Sequence, residues 1–123
     1  MDVLGEIKKL LAEILDIEDH DITPETYLIR DLDAESIDLL ELAVSLNSTF
    51  NVEIIDDEIY LRTFRLHTMD AEQRGDDTVR YLLDKFPFLN ESRVIEIMKE
   101  LQSGPTLKVK DLVSYISWQY RES

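Results

Sequence analysis

Apolar residues recur at intervals of three and four in five separate stretches of this 123-residue chain. This spacing places them on one face of an α-helix, whereas a half-buried strand alternates apolar and polar residues. No stretch shows a convincing alternation, and glycine and proline occur only three times each. The sequence therefore predicts an all-α protein that forms a single domain, residues 1–123.

Polar residues flanking these stretches predict where the helices begin and end. The expected first residues or caps are Asp2, Ser36, Asp76 or Asp77, and Asn90 or Ser92. The expected ends are Asp16, Asn51, Pro87 and the Gly104-Pro105 pair. A last helix is predicted through residues 109–120, and residues 59–66 fit either a helix or an irregular segment.

The second of these helices has more apolar residues than a surface helix needs to pack on a core. Leu39, Leu42, Leu46 and Phe50 share one face, and Ile37, Leu40 and Val44 widen it.

The acidic residues are concentrated in the first half of the chain. Residues 1–60 contain 17 Asp and Glu against 3 Lys and Arg, whereas the rest contains ten of each. Such a field repels nucleic acid and anionic lipid and attracts proteins with basic patches. We therefore expect protein partners and no nucleic-acid partner, although the charge also fits a simple role in solubility.

The sequence disfavours cysteine-dependent sites and membrane or secretory segments. The chain has no cysteine, so it contains no disulfide, thiolate nucleophile or sulfur-ligated metal site. Charged residues interrupt the apolar positions of its first 15 residues, which therefore resemble neither a signal peptide nor a membrane span. We expect a monomeric cytoplasmic protein that does not insert into membranes.

The segment DLDAESIDLLELAVSLNSTFNVEI, residues 31–54, resembles the Asp-Leu-Gly-Ala-Asp-Ser-Leu motif and following helix of acyl carrier proteins. The resemblance extends from the first helix to about Glu58, and TLKVKDLVSYIS is similar to the last helix of the family. It implies an acyl-carrier-like helical bundle with family-like parts at residues 1–58 and 106–120. The intervening residues, about 60–105, are then an insertion of about two additional helices.

The resemblance also implies a cofactor. In this family the motif serine receives a 4′-phosphopantetheine arm from coenzyme A, and the matching position is Ser36. The thiol of the arm carries acyl intermediates as thioesters. A serine at a helix start suits this role, because a phosphate there lies near unpaired backbone N–H groups and the positive end of the helix dipole. The competing interpretation is a plain N-cap, worth about 1 kcal/mol.

The partners follow from the same resemblance. They are a phosphopantetheinyl transferase and the acyl-loading, synthase and acyltransferase enzymes that offer basic patches. The acidic residues expected to dock on them are Glu35, Asp38, Glu41, Asp56, Asp57 and Glu58. The residues that could line an acyl pocket, or simply form the core, are Leu42, Leu46, Phe50 and Ile54.

Three departures from the family pattern bear on specificity. Asp33 stands where the family has glycine, and Glu35 stands where it has aspartate. Asn47, Ser48 and Thr49 replace residues that are usually acidic. The insertion suggests a specialised carrier for a long or unusual acyl chain, in fatty acid or lipid A-type synthesis, although it could equally pack outside an ordinary pocket or dock one dedicated enzyme.

Several features of the sequence bear on functions other than a carrier. An enzyme is disfavoured, because His20 and His67 belong to no nucleophile motif and no catalytic residue is predicted. A calcium loop counted from Asp31 needs glycine at its sixth position and glutamate at its twelfth, where Ser36 and Leu42 stand, so no metal site is predicted. An unmodified, carrier-like acidic interaction module and a carrier of polyketide or aminoacyl intermediates remain alternatives.

Overall fold

The computed structural model describes residues 2–122, and the side chains of residues 2–121. Its α-helices are, in chain order, α1 (Val3–Leu15), α2 (Ser36–Phe50), α3 (Asp56–Ile59), α4 (Phe64–Arg74), α5 (Thr78–Lys85), α6 (Glu91–Glu100) and α7 (Val109–Glu122). Two 3₁₀ turns lie at Asp19–Asp21 and Leu101–Ser103. The described residues form no strand, only one isolated antiparallel bridge between Tyr27 and Lys108. The prediction of an all-α bundle is confirmed.

The helix ends lie where local sequence signals place them. The Asp2 carboxylate accepts a hydrogen bond at 3.0 Å from the backbone of the third residue of α1. Asp77 and Asn90 cap α5 and α6 in the same way, which decides both open alternatives. Asp16 and Asn51 end α1 and α2 in the left-handed conformation, with φ of 56° and 54°. Short polar side chains tolerate this conformation better than other non-glycine residues.

All seven helices of the described chain contribute to one hydrophobic core. Helix α1 packs against both α2 and α7, and the three helices contribute Ile7, Leu46 and Leu112 to this core. These three side chains are fully buried. The arrangement places the start of α2, with Ser36, at the edge of the bundle.

The 60–105 segment contains three helices, α4, α5 and α6, where the sequence predicted about two. The additional helix is α4, which begins inside the stretch 59–66 that the sequence left open and buries only Phe64, Thr68 and Ala71 along its length. Its remaining positions are mostly charged or polar, so no apolar stripe marks it in the sequence. Tertiary packing forms this helix instead, since the Phe64 ring stacks on Phe86 of the turn after α5 with centroids 5.4 Å apart.

Aromatic contacts join the 60–105 segment to the last helix. Phe86 contacts Phe88 edge-on at 6.2 Å, and Phe88 contacts Tyr115 of α7 edge-on at 5.0 Å. Trp118, one turn further along α7, lies 6.1 Å from Phe88. Such offset and edge-to-face pairs stabilise packing beyond the area that they bury. The segment is therefore part of the core rather than an appendage to it.

A buried ion pair lies at the same interface. Arg93 of α6 makes a bidentate contact with Asp111 of α7, with both N–O distances 2.8 Å, and the side chains are 5% and 1% exposed. The Arg93 guanidinium also donates to the Thr106 carbonyl at 2.6 Å, and Asp111 accepts from the Lys108 backbone at 2.9 Å. The desolvation cost of both charges is thus offset by well-directed hydrogen bonds.

The pair predicts a large effect of one substitution. Arg93→Met leaves Asp111 buried without its guanidinium and should lower the free energy of unfolding by about 3–5 kcal/mol in urea denaturation. Arg80 is an exposed arginine of the neighbouring helix α5, so Arg80→Met is the matched control and should change stability by less than about 0.5 kcal/mol. Equal losses in the two variants would contradict this account of the pair.

Candidate functional site

The loop before α2 is held by a second segment of the chain. The Leu28 backbone N–H donates to the Leu107 carbonyl at 3.1 Å, and Val109 donates to the Thr26 carbonyl at 3.0 Å. Within the loop, Ala34 donates to the Leu28 carbonyl at 3.1 Å. Leu28 itself is fully buried. These contacts fix the backbone two residues before Ser36 relative to the start of α7.

Asp33 adopts the left-handed conformation, with φ of 56°. This position is the one at which the family motif has glycine, so the backbone geometry accounts for the glycine and for the tolerance of aspartate. The departure noted in the sequence therefore preserves the shape of the loop. A β-branched residue at this position is disfavoured by contact between its Cβ atom and the backbone.

Substitutions at Asp33 test that geometry. Asp33→Val should lower the free energy of unfolding by about 1–2 kcal/mol, because valine pays the full cost of the left-handed conformation. Asp33→Gly and the uncharged control Asp33→Asn should lower the free energy of unfolding by less, as measured by thermal or urea unfolding. Equal losses for valine and asparagine would show that charge, not conformation, governs the position.

Ser36 is the first residue of α2 and is exposed to solvent. Glu35 holds the cap position, in extended conformation, so Ser36 lies inside the first turn. Among residues 2–122, no side chain or backbone group forms a hydrogen bond with the Ser36 hydroxyl. The N-cap interpretation of Ser36 is therefore wrong, and the hydroxyl is free to react with an incoming group.

Acidic side chains surround this hydroxyl. Glu35 and Glu41 are exposed, and Asp38 is half-buried. The Asp38 carboxylate accepts a hydrogen bond at 2.8 Å from the Glu35 backbone N–H, which removes one unpaired donor at the helix start. The N–H groups of Ser36 and Ile37 at the helix start have no intrahelical acceptor, and they favour an anion on the neighbouring hydroxyl.

An exposed apolar stripe runs along α2 beside these acids. Ile37, Leu40 and Val44 are 70%, 59% and 63% exposed, whereas the opposite face of the helix is buried. The wide apolar face predicted for α2 therefore consists of a buried face and an exposed stripe of these three residues. The signal was present in the sequence, because a helix with apolar residues on two faces has more of them than one core contact can bury.

The second acidic group lies on α3. Asp57 is exposed, and Asp56 and Glu58 are half-buried. Arg62 lies 3.8 Å from the Asp57 carboxylate, so part of this charge is already compensated. The buried Tyr60 hydroxyl donates to the Leu39 carbonyl of α2 at 2.6 Å, which joins the end of α3 to the helix that carries Ser36. Burial raises the pKa of Tyr60, so its phenol stays protonated as a donor.

The predicted pocket residues lie in or against the core. Leu42, Leu46 and Phe50 are at most 3% exposed, and Ile54 is partly buried. A cavity of about 300 Å³ lies elsewhere, between the 60–105 segment and the loop before α2. Its lining includes Ile29, Leu61, Phe64, Leu101 and Leu107, with Arg62 and Arg65 beside them.

The two histidines lie in unrelated surroundings. His20 is exposed on a 3₁₀ turn, 3.4 Å from Asp21, whereas His67 packs edge-on against Phe86 with ring centroids 5.8 Å apart. Within residues 2–122, no group of three or more His, Cys, Asp or Glu side chains is arranged to hold a metal ion. None of the helices in this range combines the length and the apolar character needed to span a bilayer.

Comparison with known protein families places this site in context. The family described as "Phosphopantetheine attachment site" matches residues 5–65, a range that contains most of α1, all of α2 and α3, and Ser36. The match ends before α5, α6 and α7, so the assignment of residues 60–105 as an insertion and of α7 to the family stays a prediction.

Curated relatives agree with the family match. An acyl carrier protein of Helicobacter hepaticus is 36% identical over 58 residues, which cover 47% of this chain and 76% of that protein. An acyl carrier protein of Buchnera aphidicola is 42% identical over 53 residues, covering 43% and 68%. One of Helicobacter pylori is 36% identical over 58 residues, covering 47% and 74%. No solved structure matches the chain significantly.

Proposed function

This chain belongs to the acyl carrier protein family, whose members carry acyl groups on phosphopantetheine, and we propose that Ser36 is the residue that carries the arm. The predicted resemblance is confirmed: the protein is a carrier and not an enzyme, and its cofactor is covalent 4′-phosphopantetheine. One observation supports Ser36 most strongly. Its hydroxyl is exposed at the first residue of α2, at the position of the family motif.

The residues around Ser36 fit the group chemically. When attached, the arm supplies a terminal thiol that holds acyl groups as thioesters. The first turn of α2 places unpaired N–H groups beside the phosphodiester, and the buried Ala34 and Leu39 hold that turn against the bundle. Among the side chains of residues 2–121, none accepts a hydrogen bond from the Ser36 hydroxyl as a base would, so we expect the transferase to activate this hydroxyl.

The acidic and apolar face of α2 is the proposed docking surface. Glu35, Asp38 and Glu41 attract basic patches, and the adjoining apolar stripe of Ile37, Leu40 and Val44 provides area to bury. Contacts of this kind between exposed charges are weak and salt-sensitive, which suits a shuttle that has to dissociate. Asp56, Asp57 and Glu58 of α3 extend the negative field.

The partners proposed for this surface are a phosphopantetheinyl transferase and acyl-loading, synthase and acyltransferase enzymes with basic patches. We place the carrier in the cytoplasm as a monomer. The alternatives are an unmodified acidic interaction module and a carrier of polyketide or aminoacyl intermediates. The first of these lacks the arm, and the second uses the same serine with a different cargo.

Intact-mass spectrometry after incubation with coenzyme A and a phosphopantetheinyl transferase tests the attachment. The parent protein should gain the mass of one phosphopantetheinyl group, and Ser36→Ala should gain none. Ser48 is an exposed serine on the same helix, so Ser48→Ala is the matched control and should be modified like the parent.

Two outcomes contradict the proposal. Failure of the parent to react with several transferases favours the unmodified module. Modification of Ser36→Ala places the arm on another residue.

A long acyl chain is the cargo that we propose, and it suits a fatty acid or lipid A-type pathway. The cavity of about 300 Å³ between the 60–105 segment and the loop before α2 supports this, because its apolar lining can shelter part of a chain. Each methylene removed from water contributes about 0.8 kcal/mol. The residues Leu42, Leu46, Phe50 and Ile54 remain candidates for a second part of the pocket.

Thermal unfolding of acylated forms tests the cargo. The midpoint should rise with chain length from octanoyl to palmitoyl, because more methylenes leave water. Leu101→Trp, which fills part of the cavity, should flatten this rise. Leu10→Trp is the control, since Leu10 is also half-buried but lies on α1, outside the cavity lining. A larger stabilisation by short chains rules out the long-chain cargo.

A further inference from the structure

Two side chains of the loop before Ser36 contact the end of α6. The Tyr27 hydroxyl donates a hydrogen bond to the Glu100 carboxylate, and the Arg30 guanidinium lies 3.5 Å from the same carboxylate oxygen. The two contacts bridge 73 and 70 residues of sequence. Glu100 is the last residue of α6, so the 60–105 segment touches the loop that leads into the carrier serine.

Tyr27, Arg30 and Glu100 form a junction between the loop and α6, in which Arg30 has two further contacts. Its guanidinium donates to the Gly104 carbonyl at 3.1 Å and lies 4.4 Å above the centre of the Tyr27 ring. Gly104 has φ of 123°, a conformation that residues with a Cβ atom rarely adopt, so glycine is needed to turn this carbonyl toward the loop. The cation–π contact and the hydrogen bonds together fix the arginine side chain.

The junction is partly shielded from solvent. The side chains of Arg30 and Glu100 are 25% and 27% exposed, less than those of most other ion pairs in the molecule. Arg93, which is buried, lies 4.0 Å from the second Glu100 oxygen. The Glu100 carboxylate therefore lies within 4.0 Å of two guanidinium groups and accepts a hydrogen bond from one phenol. This hydrogen bond raises the pKa of Tyr27, so the phenol stays protonated.

Backbone hydrogen bonds connect this junction to the residues directly before Ser36. The residues after Gly104 lead to Leu107, whose carbonyl accepts from Leu28, and the Leu28 carbonyl accepts from Ala34 two residues before Ser36. The loop is thus held by side-chain hydrogen bonds at Tyr27 and Arg30 and by backbone hydrogen bonds at Leu28.

We propose that Glu100 is a positioning residue, which holds the loop through Tyr27 and Arg30 in the conformation that presents Ser36 to a phosphopantetheinyl transferase. The proposal rests on the assignment of Ser36 as the attachment site. It gives the 60–105 segment a role in recognition: the segment sets how well ordered the loop is when the transferase binds. A loop that is already ordered binds with a smaller loss of conformational entropy.

Three variants separate this role from general stabilisation. Glu100→Ala removes both loop contacts, Glu100→Gln keeps an acceptor for Tyr27 but removes the charge, and Tyr27→Phe removes only the phenol donor. Glu91→Gln is the matched control, because Glu91 is an exposed glutamate at the other end of α6. Two readouts are measured: amide hydrogen exchange in the whole chain, and the steady-state kinetics of phosphopantetheinyl transfer from coenzyme A.

In Glu100→Ala, the loss of protection from amide exchange should be confined to the loop before α2. In Glu100→Ala the Ala34 and Leu28 amides should exchange about tenfold faster than in Glu91→Gln, while amides at the centres of α1 and α7 keep their protection. KM for the carrier should rise several-fold with kcat unchanged, since the transferase has to order the loop on binding. Glu100→Gln and Tyr27→Phe should fall between the parent and Glu100→Ala.

Either of two results overturns the proposal. One is exchange at Ala34 and a KM that match those of the Glu91→Gln control. The other is a uniform loss of protection through all helices, which is the signature of a merely structural residue. If no transferase modifies the parent, the attachment proposal and the recognition role fail together, and the exchange rates still decide whether Glu100 orders the loop.

Discussion

The backbone pairing between residues 24–28 and residues 107–110 is the constraint on which the site depends. It joins the loop before α2 to the start of α7 through hydrogen bonds of 3.0 to 3.1 Å at Leu28, Val109 and Lys110. Ordering a residue of the long connection between α1 and α2 costs about 1–2 kcal/mol in backbone entropy, and without this pairing only the turns of the connection itself would offset that cost. The buried ion pair of Arg93 and Asp111 holds residues 106–111 in place, because Arg93 binds both Asp111 of α7 and the Thr106 carbonyl. The proposed attachment serine, Ser36, is therefore exposed and still held in a fixed position.

The surface around Ser36 combines two properties that a carrier needs. In the proposed docking, its acidic residues would attract partners over a distance of about 8–10 Å, and its exposed apolar stripe would give those partners apolar area to bury. Neither feature binds tightly by itself, since contacts between exposed charges contribute little. The charge asymmetry of the chain fits this division, with the acids in the half that contains α2 and α3 and a neutral balance in the half that contains the 60–105 segment.

Much of the fold could be predicted from the sequence because its signals are local. The caps at Asp2, Asp77 and Asn90 and the left-handed ends at Asp16 and Asn51 each depend on neighbouring residues. Helix α4 escaped prediction because its few buried residues form a helix only by packing on α5. The exposure of Ile37, Leu40 and Val44 escaped it because α2 is apolar on two faces, and tertiary packing decides which one is covered. The contact of Tyr27 and Arg30 with Glu100 has no sequence signal, since its members are at least 70 residues apart.

The central claim is that Ser36 accepts the cofactor on a preformed and firmly held helix start. Amide NMR spectra recorded before and after phosphopantetheinylation test it most directly. The account predicts shift changes concentrated in residues 33–40, with the amides of Leu28 and Val109 still protected from exchange in both forms. Changes centred on another residue, or loss of protection at Leu28 on modification, would contradict it.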